Sequence, residues 1–295
     1  MSLHKPTVFK GSATALITPF ANGEIDISSL NTLIEGQIAA GTAAILVAGT
    51  TGESAALDFD EHGKLVRAAH EIIGGRVPLL AGCGSNCTAR AVRLAKICCD
   101  AGADALLAVT PYYNKASDRG ILLHYRAIAE ASARPVIVYN VPSRTGLALS
   151  MQNYRELAKI DRICGVKEAS GDLELLAQLV AECGDDLDVY TGNDHQTVAA
   201  LKLGARGVIS VCANILPEKM CELCRLCEEG NFRRASLRLQ ELRPILQTLF
   251  AEVNPIPVKY AAALRGLCLP EYRLPLCPPA PDLCRRLETL LGFPH

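Results

Sequence analysis

Eight short β-rich apolar runs alternate with longer amphipathic stretches along residues 1–230, and that alternation restricts the fold more than any other feature of the chain. The runs fall at 12–17, 44–47, 77–82, 105–110, 135–140, 163–168, 188–191 and 207–211. Strands buried on both faces read as continuous apolar runs, and successive parallel strands need a crossover long enough for a helix. Stretches such as 28–40, 60–73, 88–101 and 173–183 have that length and the helical period. Eight such units predict an α/β fold, a (β/α)8 TIM barrel. Gly41, Gly102, Gly184 and Gly204 each stand between a helical stretch and the next strand, where a left-handed cap is expected. From about Asn231 the strand signal stops and helical patterns follow at 232–250, 256–265 and 281–291, the last two separated by the proline-rich stretch 274–281. The active-site barrel is therefore assigned to residues 1–230. Residues 231–295 are expected to form a helical extension packed on the barrel, since no flexible linker precedes them.

Lys+Arg of 30 against Asp+Glu of 31 leaves a net charge of -1 over 295 residues, which gives nucleic acid no basic face to bind. A small-molecule substrate is expected instead. Residues 1–11 lack the apolar core of a signal peptide, and no apolar run reaches the ~18 residues of a membrane span, so a cytoplasmic protein with no membrane partner is expected. Met1-Ser2-Leu3 reads as a cloning remnant. The 13 cysteines are odd in number and scattered through apolar segments, which fits reduced, buried thiols. Cys221, Cys224 and Cys227 have a metal-like spacing. They also sit in a helical pattern that starts near Pro217, with no fourth ligand at the usual distance, and thiols at i, i+3 and i+6 simply line one helix side. No metal is expected. A metal- or redox-binding barrel centred on these three thiols is the remote alternative.

The chemistry is concentrated at strand ends. Lys167 ends the apolar run Ile163-Cys164-Gly165-Val166-Lys167-Glu168, and Tyr139 ends the preceding one, Val136-Ile137-Val138-Tyr139-Asn140. In a parallel barrel both would emerge at the carboxyl edge, where such folds place their active sites. An exposed lysine has a pKa near 10.4, so about one molecule in a thousand or fewer carries a free amine at neutral pH. Burial lowers that value, and a neutral amine attacks carbonyls to form a Schiff base, with a neighbouring phenol to move protons. Glu168 is adjacent in sequence but faces the other way along a strand, so it is not assigned as the base. An isolated strand-end lysine ordinarily snorkels to solvent. Three further loops argue against that here. Gly49-Thr50-Thr51-Gly52-Glu53-Ser54 offers backbone N–H groups to a small anion. Thr110-Pro111-Tyr112-Tyr113-Asn114 follows the fourth strand. Val141-Pro142-Ser143-Arg144-Thr145-Gly146 follows the fifth, and its Arg144 suits a carboxylate.

Together with Gly165-Val166-Lys167-Glu168-Ala169-Ser170, these segments resemble the dihydrodipicolinate synthase/N-acetylneuraminate lyase family over residues 11–275. The resemblance implies a class I lyase barrel, no cofactor beyond an imine between Lys167 and pyruvate, and a homotetramer built as a dimer of dimers. It implies that Tyr139, Thr51 and Tyr113 form a proton relay, Tyr113 reaching into the neighbouring subunit's site. The backbone of Thr50 and Thr51 would cradle the pyruvate carboxylate, with Gly192 and Ile209 lining the pocket through their main chain. Arg144 would hold the carboxylate of aspartate semialdehyde, where sialic acid lyases usually carry an apolar residue. The implied reaction condenses pyruvate with that semialdehyde to 4-hydroxy-tetrahydrodipicolinate in lysine (diaminopimelate) biosynthesis. The alternative within the family is a lyase or dehydratase acting on another 2-keto acid or a sugar acid.

An effector site is also implied, formed by Ser54, Ala55, Phe59, His62, Asn86, Arg90 and Tyr112. In lysine-inhibited members an acidic residue stands where this chain has Arg90, and a histidine often stands at Phe59. A cation facing a cationic effector is repulsive, so weak or absent lysine inhibition is expected. His195 is expected to cap a helix start, and Glu53 to orient its loop. His70 and His124 lie in helical segments without a metal-ligand partner at i+4.

Overall fold

In the computed structural model, which describes residues 5–293 and so leaves Met1-Ser2-Leu3 outside, the eight runs form eight parallel strands. They are β1 (Gly11–Ala15), β2 (Ala44–Val47), β3 (Leu79–Gly82), β4 (Ala105–Val109), β5 (Val136–Asn140), β6 (Ile163–Glu168), β7 (Asp188–Thr191) and β8 (Gly207–Ser210). Neighbours pair in chain order and β1 closes on β8, so the sheet is a complete barrel. Each strand is followed by a helix: α1 (Ile27–Ala39), α2 (Phe59–Ile73), α3 (Thr88–Asp100), α4 (Asp118–Ala131), α5 (Met151–Ala158), α6 (Leu173–Cys183), α7 (Thr197–Lys202) and α8 (Pro217–Glu228). Every strand boundary lies within two residues of the span read from sequence. A two-stranded hairpin after β1, Phe20–Ala21 with Glu24–Ile25, carried no sequence signal because two residues are too short to show a period.

Strand alternation sorts the apolar side chains into two sets. Ala13, Ala15, Leu46, Leu80, Leu107, Ile137 and Ile209 fill the lumen together with Phe9, which stacks on Tyr190 at a centroid distance of 4.2 Å. Val136, Val138, Ile163 and Val166 face outward and pack with helix residues such as Leu65, Tyr125 and Leu176. Between β5 and β6 the pairing runs Val136 to Ile163 and then Ile137 to Gly165, so Cys164 is an extra residue in β6. Such a bulge re-aims every side chain beyond it. Ile163 faces the helices, yet four residues later Lys167 faces inward, in register with Tyr139. Only glycine fits at 165, since a Cβ there would lie 2.7 Å from the Asp188 carbonyl oxygen.

Gly41, Gly102 and Gly204 have φ of 81°, 98° and 102°, the expected left-handed caps. Gly184 does not. Its φ is −65°, because α6 closes with a right-handed turn in which Gly184 N–H donates to the Val180 carbonyl, leaving no space for a Cβ.

Past the barrel run α9 (Phe232–Leu249), α10 (Ile256–Leu264) and α11 (Pro281–Leu291). α9 packs on α8, and α11 packs on α9 and α10. Leu249, Val258, Ala261 and Leu287 join the same apolar cluster as the barrel helices. The segments before α10 and α11 return to the carboxyl edge of the barrel, where Asn254, Arg273 and Leu274 meet the β2 and β5 loops. No described helix is long and apolar enough to cross a membrane. On α8, Cys224 and Cys227 are buried and Cys221 half-buried; burial raises the pKa of all three thiols, that of Cys227 to about 11. Protonated thiols are poor metal ligands, and the described residues contain no group of three or more metal-ligating side chains.

Candidate active site

Lys167 is 5% exposed at the end of β6, and its ammonium lies 4.5 Å from the centroid of the Tyr139 ring. Desolvation lowers its pKa to about 8, opposed by the negative charge of Asp194 and aided by the positive charge of Arg144. About a tenth of the molecules then carry a free amine at pH 7. The lysine stem has room only because residue 192 is glycine. A Cβ there would sit 2.9 Å from Lys167 Cε and 2.7 Å from Ala169 Cβ. Asp194 is buried next to this turn, and its Oδ2 accepts from the N–H groups of Val211 and Cys212. Glu168 faces the helices, as strand alternation requires, and is engaged by Asn140 Nδ2 at 2.9 Å, Tyr154 Oη at 2.5 Å and Ser170 N–H at 2.7 Å. Ile209 is buried in the lumen.

The β2 loop is tightly wound. Ala48 and Glu53 bracket it with left-handed φ of 52° and 53°, a conformation that costs non-glycine residues of order 1 kcal/mol or more and concentrates at functional sites. At Gly52 a Cβ would meet Ala48 N and Leu16 O at 3.1 Å. The hydroxyl bonded to Tyr139 belongs to Thr50, not to Thr51. Thr51, expected in the relay, is buried and its Oγ1 accepts from Asn254 Nδ2 at 3.0 Å. In an irregular loop adjacent side chains diverge, and sequence spacing cannot choose between them. Burial raises the Tyr139 pKa, with the Arg144 charge and the Thr50 hydrogen bond acting against it. Arg144 lies on the single helical turn Pro142–Thr145 and donates through Nη2 to the Asn254 carbonyl at 3.0 Å.

Thr50, Tyr139 and Arg144 line a cleft of about 580 Å³. The same cleft continues past Ser54, Ala55, Phe59, His62, Arg90 and Tyr112, so six of the seven expected effector residues share its wall. Asn86 does not line it, and its carbonyl accepts from Asn114 Nδ2 at 2.9 Å. Arg90 borders the cleft, while Arg93, one turn on, places its guanidinium 4.0 Å from the Phe59 ring centroid. His62 is buried, with Nε2 2.7 Å from the Gly82 carbonyl and its pKa lowered by burial. Tyr113 is set apart. It is 88% exposed, has φ of 74°, and takes no part in the wall of this cleft.

His195 does not cap. It is exposed within the turn Asp194–Gln196, and the carboxylate of Asp194 instead holds the N–H groups that open the turn at Cys212. His124 is bonded through Nδ1 to Thr88 Oγ1 at 3.0 Å and is pushed down to about 4 by burial. His70 packs against Gly102. Glu53 orients its loop as expected, but its partner, Lys259, lies far along the chain and carried no sequence signal.

With this geometry in place, the comparisons with known proteins converge. A model of the dihydrodipicolinate synthetase family matches residues 8–292. This chain belongs to that family. The 4-hydroxy-tetrahydrodipicolinate synthase of Geobacter metallireducens is 47% identical over 272 residues, covering 92% of this chain and 93% of that protein. That of Nitratidesulfovibrio vulgaris is 45% identical over 285 residues, covering 96% and 98%. Among solved structures, dihydrodipicolinate synthase from Aquifex aeolicus superposes with a TM-score of 0.94 at 41% identity, covering 96% of this chain and 97% of that one. The enzyme from Cyanidioschyzon merolae with lysine bound superposes with a TM-score of 0.93 at 34% identity, covering 97% and 98%.

The lowered pKa of Lys167 has a direct kinetic consequence for a family whose members act on carbonyl substrates. Below about 8 the amine is mostly protonated, and the reactive fraction grows with pH; above it the fraction is saturated. Covalent capture of pyruvate under borohydride is expected to accelerate about tenfold per pH unit up to that point and then level off. A rise that continues unabated to pH 10 would mean an ordinary, solvated lysine.

Proposed function

We propose that the chain condenses pyruvate with aspartate semialdehyde to 4-hydroxy-tetrahydrodipicolinate, in lysine and diaminopimelate biosynthesis, through an imine on Lys167. The observation that carries this reading is the buried Lys167 amine, in register with the Tyr139 phenol at the mouth of the barrel, with its pKa lowered by burial to about 8. Family membership and relatives named for this activity support it.

The free amine of Lys167 adds to the keto carbon of pyruvate, and the carbinolamine loses water to give the imine. Loss of a methyl proton produces the enamine, which attacks the aldehyde carbon of the second substrate. One C–C bond forms, and the aldehyde oxygen takes up a proton to become the product hydroxyl. The substrate's own amine then attacks the imine carbon, closing the ring and freeing Lys167. Each proton transfer needs a group that can both hold and release a proton, and the pair of Tyr139 with Thr50 serves that purpose. The backbone of Thr50 and Thr51 receives the pyruvate carboxylate, while Gly192 leaves room for the lysine stem. Arg144 receives the carboxylate of the semialdehyde and so favours this substrate over sugar acids.

The reading also assigns Tyr113 to a neighbouring subunit's relay. A tyrosine 88% exposed in a strained left-handed conformation has no evident use within its own chain. A homotetramer assembled as a dimer of dimers would bury it. In the arm of the cleft, Arg90 opposes a cationic effector, and L-lysine would have to displace or neutralise that charge.

Borohydride reduction with pyruvate, read by intact mass and peptide mapping, is expected to place a pyruvyl adduct on Lys167 and none in Lys167→Ala. Arg144→Ala should still trap pyruvate but raise KM for aspartate semialdehyde by about tenfold or more. Efficient turnover of another 2-keto acid with none of the semialdehyde would redirect the reading to a sister activity. Sedimentation is expected to show active tetramers, and a fully active monomer would remove Tyr113 from the site. L-Lysine is expected to inhibit only at millimolar concentrations or above; submillimolar inhibition would overturn the role given to Arg90.

A further inference from the structure

Lys259 and Glu53 form an ion pair sealed from water, with both side chains 0% exposed and Nζ 2.5 Å from Oε1. The ammonium lies 4.1 Å from the ring centroid of Phe20 and 5.4 Å from that of Tyr272. The second oxygen of Glu53 accepts from the Arg273 N–H at 3.2 Å. A buried pair of this kind is a poor source of stability, since apolar residues of similar volume often do as well or better. What it does supply is a single allowed position for each partner. Glu53 is the left-handed residue that closes the β2 loop, and its N–H donates to the carbonyl of Thr50 at 3.1 Å. Thr50 in turn shares the cleft wall with the Tyr139 phenol, and its side chain acts against the rise of that phenol's pKa. A continuous chain of contacts therefore runs from α10 through Glu53 and Thr50 to the phenol beside Lys167.

We infer that Lys259 is a positioning residue for the pyruvate end of the site, acting through Glu53 to hold the Thr50-Thr51 backbone and the Thr50 hydroxyl in place. The inference rests on the function proposed above. Arg144 is held by the backbone carbonyl of Asn254 rather than by Glu53 or Lys259, and it connects to the β2 loop only through the Asn254 side chain on Thr51 Oγ1. Loosening the pair should therefore act chiefly on pyruvate and far less on the semialdehyde. A merely structural pair would behave otherwise: its loss would lower the fraction of folded enzyme without altering KM in the sites that remain.

The test is steady-state kinetics of the full-length double variant Lys259→Met/Glu53→Leu, which leaves no charge unpaired. Its melting temperature should stay near that of the wild type. KM for pyruvate should rise about tenfold, a typical effect of removing a supporting contact behind a site, with KM for aspartate semialdehyde changed less than about twofold. Glu53→Gln, which keeps one oxygen to accept from Lys259 but turns an NH2 toward the Arg273 N–H, should raise KM for pyruvate less than the double variant does. An unchanged KM for pyruvate in the double variant, or equal rises for both substrates, overturns the inference. Should the double variant not fold, Glu53→Asp replaces it, since shortening the side chain by one methylene draws the loop and should produce the same selective rise. A wild-type enzyme that fails to trap pyruvate would overturn the functional reading itself, whereas normal trapping with an unchanged KM in the variants would sink the role of Lys259 alone.

Discussion

An amine that must be buried and yet free to react is the constraint on which this barrel depends. Moving Lys167 from its ordinary pKa of 10.5 to about 8 corresponds to roughly 3 kcal/mol of disfavoured charge, which the fold must offset elsewhere. The bulge at Cys164 turns the side chain into the lumen, Gly192 gives the stem a path, and the Asp194 charge keeps the shift from growing larger. These groups set the orientation and the charge state of Lys167.

Much of the fold was legible because its periodicities are local. Apolar runs of four to six residues separated by helix-length stretches leave few alternatives, and the adjacency of Tyr139 and Lys167 follows from two strand ends in chain order, while their common inward facing depends on the bulge at Cys164. The site was legible where its chemistry comes from strand ends and the loops that follow them. It was not legible where geometry is irregular or distant. Thr50 and Thr51 are neighbours of identical type, and only the folded loop separates the one that acts on Tyr139 from the one tied to Asn254. Gly184 has the composition of a left-handed cap but not its backbone, because handedness depends on how the chain leaves the helix. Lys259 reads in sequence as an ordinary helix lysine, and its partner lies 206 positions away.

Thr50, Tyr139 and Arg144, expected for substrates, share one cleft with six residues expected for an effector, while Lys167, Thr51, Gly192 and Ile209 are not among the residues that line it. Its wall passes from Tyr139 and Arg144 to Phe59 and Arg90 without a partition. Arg90, Arg144 and Arg273 line this cleft together with Glu53 and Asp58.

The return of residues 254–273 to the barrel mouth also sets an order of events during synthesis. A nascent chain that has reached Ser236 already contains all eight strands, Lys167 and Tyr139. It still lacks the groups that hold Thr51, Glu53 and Arg144, namely Asn254, Lys259 and the Arg273 N–H. All eight strands are thus encoded before the groups that fix the loops at their carboxyl edge, which come from the last fifth of the chain.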